Sequence, residues 1–303
     1  MNTKVPLVSI QIPTYNQKDF IKQAVDSALA QNYENLEVIV CDDCSTDYDI
    51  QEYLLEYVDE PRVKVYRHAK NIGRVANYNF ILNNFVNGEW FINLDGDDFF
   101  IDNEFISRAI KTLADYESAN TYQASQDFSR YKQNFKYFTI NSDEIVLNAQ
   151  SFIENWEFVN SFKHCSTIFK TKMAKRAEFY TYECLFSDFN SAAKLWCFGG
   201  DIILSSRDVS QWRQHANNAT FSLNKQNYRK EIDSLKNVST FIKNNSLNVV
   251  LKPLDIFIEN KIFVNISWSL SRKKKDINSL LFLIKNFSFN ITKFKALIRF
   301  LLT

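Results

Sequence analysis

Glycine is scarce in this chain: five residues in 303, namely Gly73, Gly88, Gly96, Gly199 and Gly200. Their spacing fits neither the GxGxxG turn of dinucleotide-binding folds nor the GxxxxGK[ST] phosphate loop. Any nucleotide must therefore be bound without a glycine cradle. An excess of charge is also missing: 36 Lys and Arg stand against 35 Asp and Glu, a net +1, which argues against a general nucleic-acid binder. No uninterrupted apolar run approaches the ~18 residues of a membrane-spanning helix. The opening segment MNTKVPLVSIQIPTYNQ turns polar too early for a secretory leader. The five cysteines, Cys41, Cys44, Cys165, Cys184 and Cys197, are odd in number and scattered, the usage of a reduced cytosolic protein rather than of a disulfide framework. Cys41 and Cys44 form a CxxC, but Asp42 and Asp43 lie between them, and neighbouring anions disfavour the thiolate that redox chemistry needs. No second ligand pair stands at zinc spacing.

What is present is the material of a packed core: 46% hydrophobic residues, 15% aromatic and 23% charged. Residues 7–12 (LVSIQI) alternate and end at Pro13, as a strand does. Phe20, Ile21, Ala24, Val25, Ala28 and Leu29 make one helical stripe within 17–31. LEVIV (36–40) is a short apolar run of the kind found in parallel strands buried on both faces. Helical patterns follow at 48–59 and 74–87, strands at 62–67 and 89–94, and a further helix at 102–116. The alternation predicts an α/β fold with a mostly parallel sheet and right-handed crossovers. Residues 121–150 are polar with aromatic punctuation, 164–170 and 180–200 regain pattern, and the chain becomes helical after about 222. No internal repeat is visible.

The polar residues fall at strand ends. Thr14, Tyr15 and Asn16 follow the first strand, Asp42 and Asp43 the second, and Asp95, Asp97 and Asp98 the fourth. Ligands of open parallel sheets bind beyond the carboxyl ends of the strands, so three polar groups distant in sequence converge on one crevice. In LDGDD (94–98) the two carboxylates Asp95 and Asp97 are two residues apart, and alternate side chains of extended chain share a side. Hard divalent cations favour such oxygens, and Mg²⁺ leaves coordination sites for substrate phosphates. An Asp after a strand also makes turns and helix caps. Asp98 is expected to cap the helix at 102.

VSIQIPTYNQKDFIKQAVDSALAQNYENLEVIVCDDCSTD, NIGRVANYNFIL and GEWFINLDGDD, in this order and spacing, resemble the family 2 glycosyltransferases of the GT-A fold. The resemblance spans about 5–220 and is most specific over 5–100. It implies a GT-A catalytic domain over 1–220, with a nucleotide-sugar half at 1–100 and an acceptor half at 101–220, followed by a helical region at 221–303. It implies an inverting transferase that moves a sugar from a nucleotide donor, expected to be UDP, to a hydroxyl of a glycan or lipid-linked saccharide. The setting it implies is bacterial surface-polysaccharide, lipooligosaccharide or glycoprotein-glycan assembly. By the same resemblance Pro13, Thr14, Tyr15 and Asn16 line the base pocket, Asp43 accepts from the uracil ring N–H, and Arg74 contacts base or phosphate. Asp95 and Gly96 adjoin the ribose and metal, while Asp97, with Asp95, holds Mn²⁺ or Mg²⁺. Arg213 and His215, in SQWRQHANNAT, close over the diphosphate. His164, in HCS, and Glu183 are acceptor-side candidates. Asp188 is the expected general base, though Ser187 stands where the family usually has Glu.

Two other readings stay open: a sugar nucleotidyltransferase, although IPTYNQKD lacks a Gly-rich phosphate loop, and a non-catalytic scaffold subunit of a glycan-assembly complex. The tail differs from the rest in charge, since 251–303 holds ten Lys and Arg against three Asp and Glu. Cations edging an apolar stripe suit an interfacial membrane helix. The expectation is a cytoplasmic protein peripheral on the inner face of the membrane through 270–303. Those helices can equally pack on the catalytic domain, or form a homodimer contact.

Overall fold

The apolar runs become the strands of one sheet because the chain offers helices for both of its faces. A computed structural model describes residues 5–127, 137–154, 162–215 and 225–245, with Asn218 and Leu247. Its strands are β1 (Val8–Thr14), β2 (Leu36–Asp42), β3 (Val63–Arg67), β4 (Trp90–Asn93), β5 (Phe99–Phe100), β6 (Ala119–Gln123), β7 (Phe138–Thr139), β8 (Glu144–Asn148), β9 (Thr167–Lys170), β10 (Asp201–Ser205) and β11 (Ser210–Gln211). Its α-helices are α1 (Lys18–Leu29), α2 (Ile50–Tyr53), α3 (Arg74–Asn84), α4 (Phe105–Ala114), α5 (Ala149–Glu154), α6 (Thr171–Arg176), α7 (Ser187–Trp196) and α8 (Lys225–Asn244). Among the described residues, nine strands form one sheet in the order β3-β2-β1-β4-β9-β6-β10-β8-β7, and β11 pairs with β5 in a separate ribbon. β3, β2, β1 and β4 are mutually parallel; β9 runs against both β4 and β6, and β10 lies parallel to β6. The sheet is mostly parallel, as the alternation of strands and helices in the sequence predicts.

β2 shows why a run with no polar alternation is stable here. Successive side chains point to opposite faces. Val38 and Val40 enter the core built on α1 and α4, while Ile39 and Cys41 enter the core built on α3 and α7. β1 differs from its expectation. Its alternation, Val8-Ser9-Ile10-Gln11-Ile12, ordinarily marks a strand with one wet face, yet all seven residues are buried. The polar row is instead satisfied inside: Ser9 Oγ donates to Glu37 at 2.6 Å and Gln11 Nε2 to Asn93 at 2.7 Å. The helix expected over 48–59 breaks after Tyr53 and resumes as a short 3-10 turn. α4 starts at Phe105 and has no side-chain cap, so Asp98 does not cap it.

The register sets the site. Thr14 lies beside Asp42 across β1 and β2, and Gln11 beside Asn93 across β1 and β4. The residues after these three strands therefore share one edge.

α8, from the region expected to follow the catalytic domain, buries Val238 and Ile242 in the same core as Ala193 and Trp196 of α7. Lys194 of α7 is wholly buried there, donating to the Glu178 carbonyl at 2.9 Å and Thr181 Oγ1 at 3.2 Å. Burial pushes its pKa down from 10.5 to about 8. Below pH 8 folding places an ammonium in the core, so the cost is fully present there and is relieved between about pH 8 and 10.5. Unfolding free energy, read by urea denaturation, should rise across that window by up to about 3 kcal/mol, and Lys194→Met should flatten the rise. No helix among the described residues is long and apolar enough to cross a membrane. The membrane and dimer contacts expected of 270–303 lie outside the described residues.

Candidate active site

The β1–α1 loop closes one side of the crevice. Asn16 adopts a left-handed backbone (φ 53°), a conformation its short polar side chain tolerates. Its Oδ1 accepts from Thr46 N and its own N–H donates to Ser45 Oγ, both at 2.8 Å. The loop is thus fastened to the segment after β2. Asp42 is fully buried, accepting from Ser45 and facing Arg67 Nε at 3.6 Å, so it orders the loop. Asp43 accepts from Ile72 N at 2.7 Å and Gly73 N at 2.9 Å. Gly73 (φ 94°) supplies the left-handed turn this grip requires. Thr14 is buried and Tyr15 exposed. Gly96 N donates to the Pro13 carbonyl at 3.2 Å, and a Cβ there would lie 2.9 Å from Thr14 Oγ1 and 2.5 Å from Gln17 Oε1. The acidic turn and the β1 loop touch because residue 96 has no side chain.

The acidic cluster lies just beyond. Asp95 Oδ1 accepts from Tyr78 OH at 2.7 Å and Asn93 Nδ2 at 3.1 Å, and its Oδ2 lies 3.0 Å from His164 Nε2. Burial alone would raise its carboxyl, but the adjacent His164 charge and these hydrogen bonds hold it down to about 2. His164 opens a one-turn 3-10 helix before β9, and its Nδ1 is 3.4 Å from Asp188 Oδ2. That is ion-pair distance, although Nδ1 lacks the geometry of a hydrogen bond. Burial would lower the His164 pKa, but Asp95 and Asp188 outweigh it and raise it well above its usual value. Asp188 occupies the first turn of α7, whose cap position is Phe186, so the carboxylate is not a capping group.

On the other side, Asp97 Oδ2 meets His215 Nε2 at 2.8 Å. Asp98 accepts from Arg213 N at 3.0 Å in place of capping α4. Burial, reinforced by the Asp95 charge, pushes the Asp97 carboxyl up. Burial and the charges of Asp95 and Asp97 lift Asp98 to about 8. Arg213 and His215 arrive through the β5–β11 ribbon, in which Ser210 pairs with Phe100 and Gln211 with Phe99. The Arg213 guanidinium lies between the Phe20 and Phe99 rings, at 4.7 and 5.0 Å, and its Nε donates to the Asp97 carbonyl at 2.9 Å. His215 stacks on Phe20 at 4.8 Å.

Of the residues singled out from sequence, Asp95, Asp97, His164, Asp188, Arg213 and His215 thus form one constellation, with Pro13, Thr14, Asn16, Asp43 and Gly96 adjoining it. Two differ from expectation. Arg74 reaches the carbonyls of Cys184 (3.1 Å) and Leu185 (2.8 Å), because α3 runs beneath the loop leading to Asp188. Glu183 is exposed and lies outside the constellation among the described residues. Tyr78, Phe20 and Asn218 escaped the sequence reading. Tyr78 was detectable, standing four residues after Arg74 on the same helical face; Phe20 looked like an ordinary member of the α1 stripe.

Carboxylate oxygens suit Mn²⁺ or Mg²⁺, and the cluster offers two sets of them, each with an imidazole alongside. Asp95, Asp98 and His164 present ligand atoms within 4.8 Å of one another, but these atoms already hold Tyr78, Arg213 and the two carboxylates flanking His164. Asp97 and His215 form the outer set. Cys41, by contrast, offers nothing to redox chemistry: its thiol is buried, and burial with the Asp43 and Asp42 charges pushes it up to about 12.

The model of glycosyl transferase family 2 matches residues 9–173. A hyaluronan synthase of Pasteurella multocida is 30% identical over 193 residues, covering 56% of this chain and 20% of that protein. The chain spans about a fifth of the length of the curated relatives it matches first. Among solved structures, S. aureus TarS 1-349 in complex with UDP-GlcNAc aligns with a TM-score of 0.62 at 17% identity, over 97% of this chain and 80% of that one. The mannosyltransferase PcManGT from Pyrobaculum calidifontis, in complex with GDP-Man and Mn²⁺, aligns with a TM-score of 0.59 at 16% identity, over 95% and 77%.

Proposed function

The chain belongs to glycosyl transferase family 2, and we propose from that premise that it is an inverting transferase moving a sugar from a UDP donor to a hydroxyl of a growing bacterial polysaccharide or lipid-linked saccharide. The observation that supports this most is the spatial order of three groups: Asp43 at the end of β2, the acidic turn with Arg213 and His215, and Asp188 across the cluster. They match the needs of base recognition, leaving-group stabilisation and acceptor activation, in that order. TarS with UDP-GlcNAc and the hyaluronan synthase favour a UDP-sugar and a polysaccharide product; PcManGT with GDP-Man makes a guanine donor the competing outcome.

Each role follows from donor and acceptor chemistry. The Asp43 oxygens both accept here, from Ile72 and Gly73, and have lone pairs beyond those used, so the side chain favours a base presenting a ring N–H. Tyr15, exposed beside it, supplies a stacking face. Asp97 and His215 would hold the divalent cation, which when bound neutralises charge on the departing diphosphate. Asp95 is retained by its hydrogen bonds and supports the site from behind. Arg213 presents guanidinium N–H groups to phosphate oxygens. Asp188, facing His164, accepts the proton of the acceptor hydroxyl as that oxygen attacks the anomeric carbon from the face opposite the leaving group. Positioning and electrostatics supply most of the rate. The basic segment 270–303 would dock the protein on an anionic membrane surface, which suits a lipid-linked acceptor.

A thermal-shift screen of UDP- and GDP-sugars with Mn²⁺, followed by assay of nucleotide release, tests the reading. UDP release dependent on Mn²⁺ and donor is the expected result. Pyrophosphate release would replace it with the nucleotidyltransferase, and absence of nucleotide binding with the scaffold.

A further inference from the structure

We propose that His164 is a positioning residue that straps the acceptor-side carboxylate Asp188 to the donor-side carboxylate Asp95, fixing the base at a set offset from the donor. The inference rests on the reading of Asp188 as the base.

Its first support is how His164 is placed. The strand that follows it, β9, pairs antiparallel with β4, Ile168 opposite Ile92, and Asp95 lies just past the end of β4. Sheet register therefore delivers the imidazole to Asp95. Its second support is the use of both ring nitrogens: Nε2 faces Asp95 at 3.0 Å and Nδ1 faces Asp188 at 3.4 Å. With Nε2 hydrogen-bonded to Asp95 and Nδ1 buried against the Asp188 carboxylate, neither nitrogen is open to a substrate. Its side chain is only 11% exposed, and Tyr78 meets it edge-on at 6.2 Å. The loose Nδ1 contact is of the kind that tightens when substrates bind.

The backbone of the base loop is held by a parallel arrangement. Arg74, tied to Tyr78 OH at 3.4 Å, grips the Cys184 and Leu185 carbonyls, and Tyr78 OH in turn donates to Asp95. Side chain and main chain of the Asp188 segment are thus both referred to Asp95. A displacement of about 1 Å at a reacting group can cost about 100-fold in rate, so such a strap has kinetic consequence without touching substrate.

Two variants separate the arms. A Gln at 164 can place its amide nitrogen near the Nε2 position and keep Asp95, and an Asn can place it near Nδ1 and keep Asp188. Crystal structures of His164→Gln and His164→Asn are expected to show Asp188 displaced or split over rotamers in the first and retained in the second; an unmoved Asp188 in His164→Gln overturns the proposal. In solution, His164→Gln should lower turnover of UDP-N-acetylglucosamine with Mn²⁺ by about 10-fold or more, while the dissociation constant for UDP with Mn²⁺ stays within about 2-fold. In an Asp188→Asn background the same change should do nothing further, because His164 acts through Asp188. An equal loss in both backgrounds, or a loss matched by weaker UDP binding, overturns it. Full turnover in Asp188→Asn alone would remove the base reading, whereas the crystallographic arm would still decide the strap.

Discussion

Asp188→Asn should keep UDP and Mn²⁺ binding and lose transfer by about 10²- to 10⁴-fold, the usual contribution of a general base. Asn preserves the size of the side chain and removes only its capacity to take a proton. Because Phe186 occupies the cap position, no capping bond is broken. The stability cost should be confined to the lost favourable interaction with the helix N-terminus, about 0.3–1 kcal/mol, together with the weakened pairing to His164. Nucleotide release with and without acceptor, read beside UDP titration calorimetry, tests this. Undiminished transfer would move the base elsewhere. Exposed Glu183 would then be the next carboxylate of the same loop to replace.

Asp97→Ala is the second large effect, and its signs are opposite in activity and stability. Asp95, Asp97 and Asp98 crowd one buried turn, and the Asp95 and Asp97 charges help lift Asp98 to about 8. Removing Asp97 relieves that crowding, so the thermal midpoint without metal should stay level or rise. The midpoint gain on adding Mn²⁺ and UDP should vanish. For the intact protein with free ligand at about 100 times its dissociation constant, that gain corresponds to about 2.7 kcal/mol. Metal-dependent nucleotide release should fall to background. A retained Mn²⁺ shift would transfer the cation to the inner set of Asp95, Asp98 and His164.

The parallel half of the fold was legible because its signals are local: LEVIV and EWFINL are apolar runs, and the aspartates sit where strands stop. β1 was legible as a strand, but its buried polar row was not, since the partners of Ser9 and Gln11 are Glu37 and Asn93 on other strands. Arg74 and Asp98 show the same limit within the site. A sequence identifies a guanidinium at a helix start or a carboxylate after a strand, and only the packing of α3 beneath the 184–185 loop, or of β11 beside β5, decides what each holds. Phe20 is the clearest case. Nothing in an amphipathic stripe distinguishes the ring that fills a core from the ring that seats both Arg213 and His215.

The β5–β11 ribbon also fixes when in synthesis the protein acquires its chemistry. Among the described residues, the nine strands of the main sheet are complete by Ser205, whereas Arg213 and His215 lie beyond it and reach the acidic turn through a pairing more than a hundred positions distant in sequence. A nascent chain can therefore lay down its main sheet before Arg213 and His215, the groups proposed to meet the leaving diphosphate, have been added, and α8, which follows them in the chain, joins the α7 core later still.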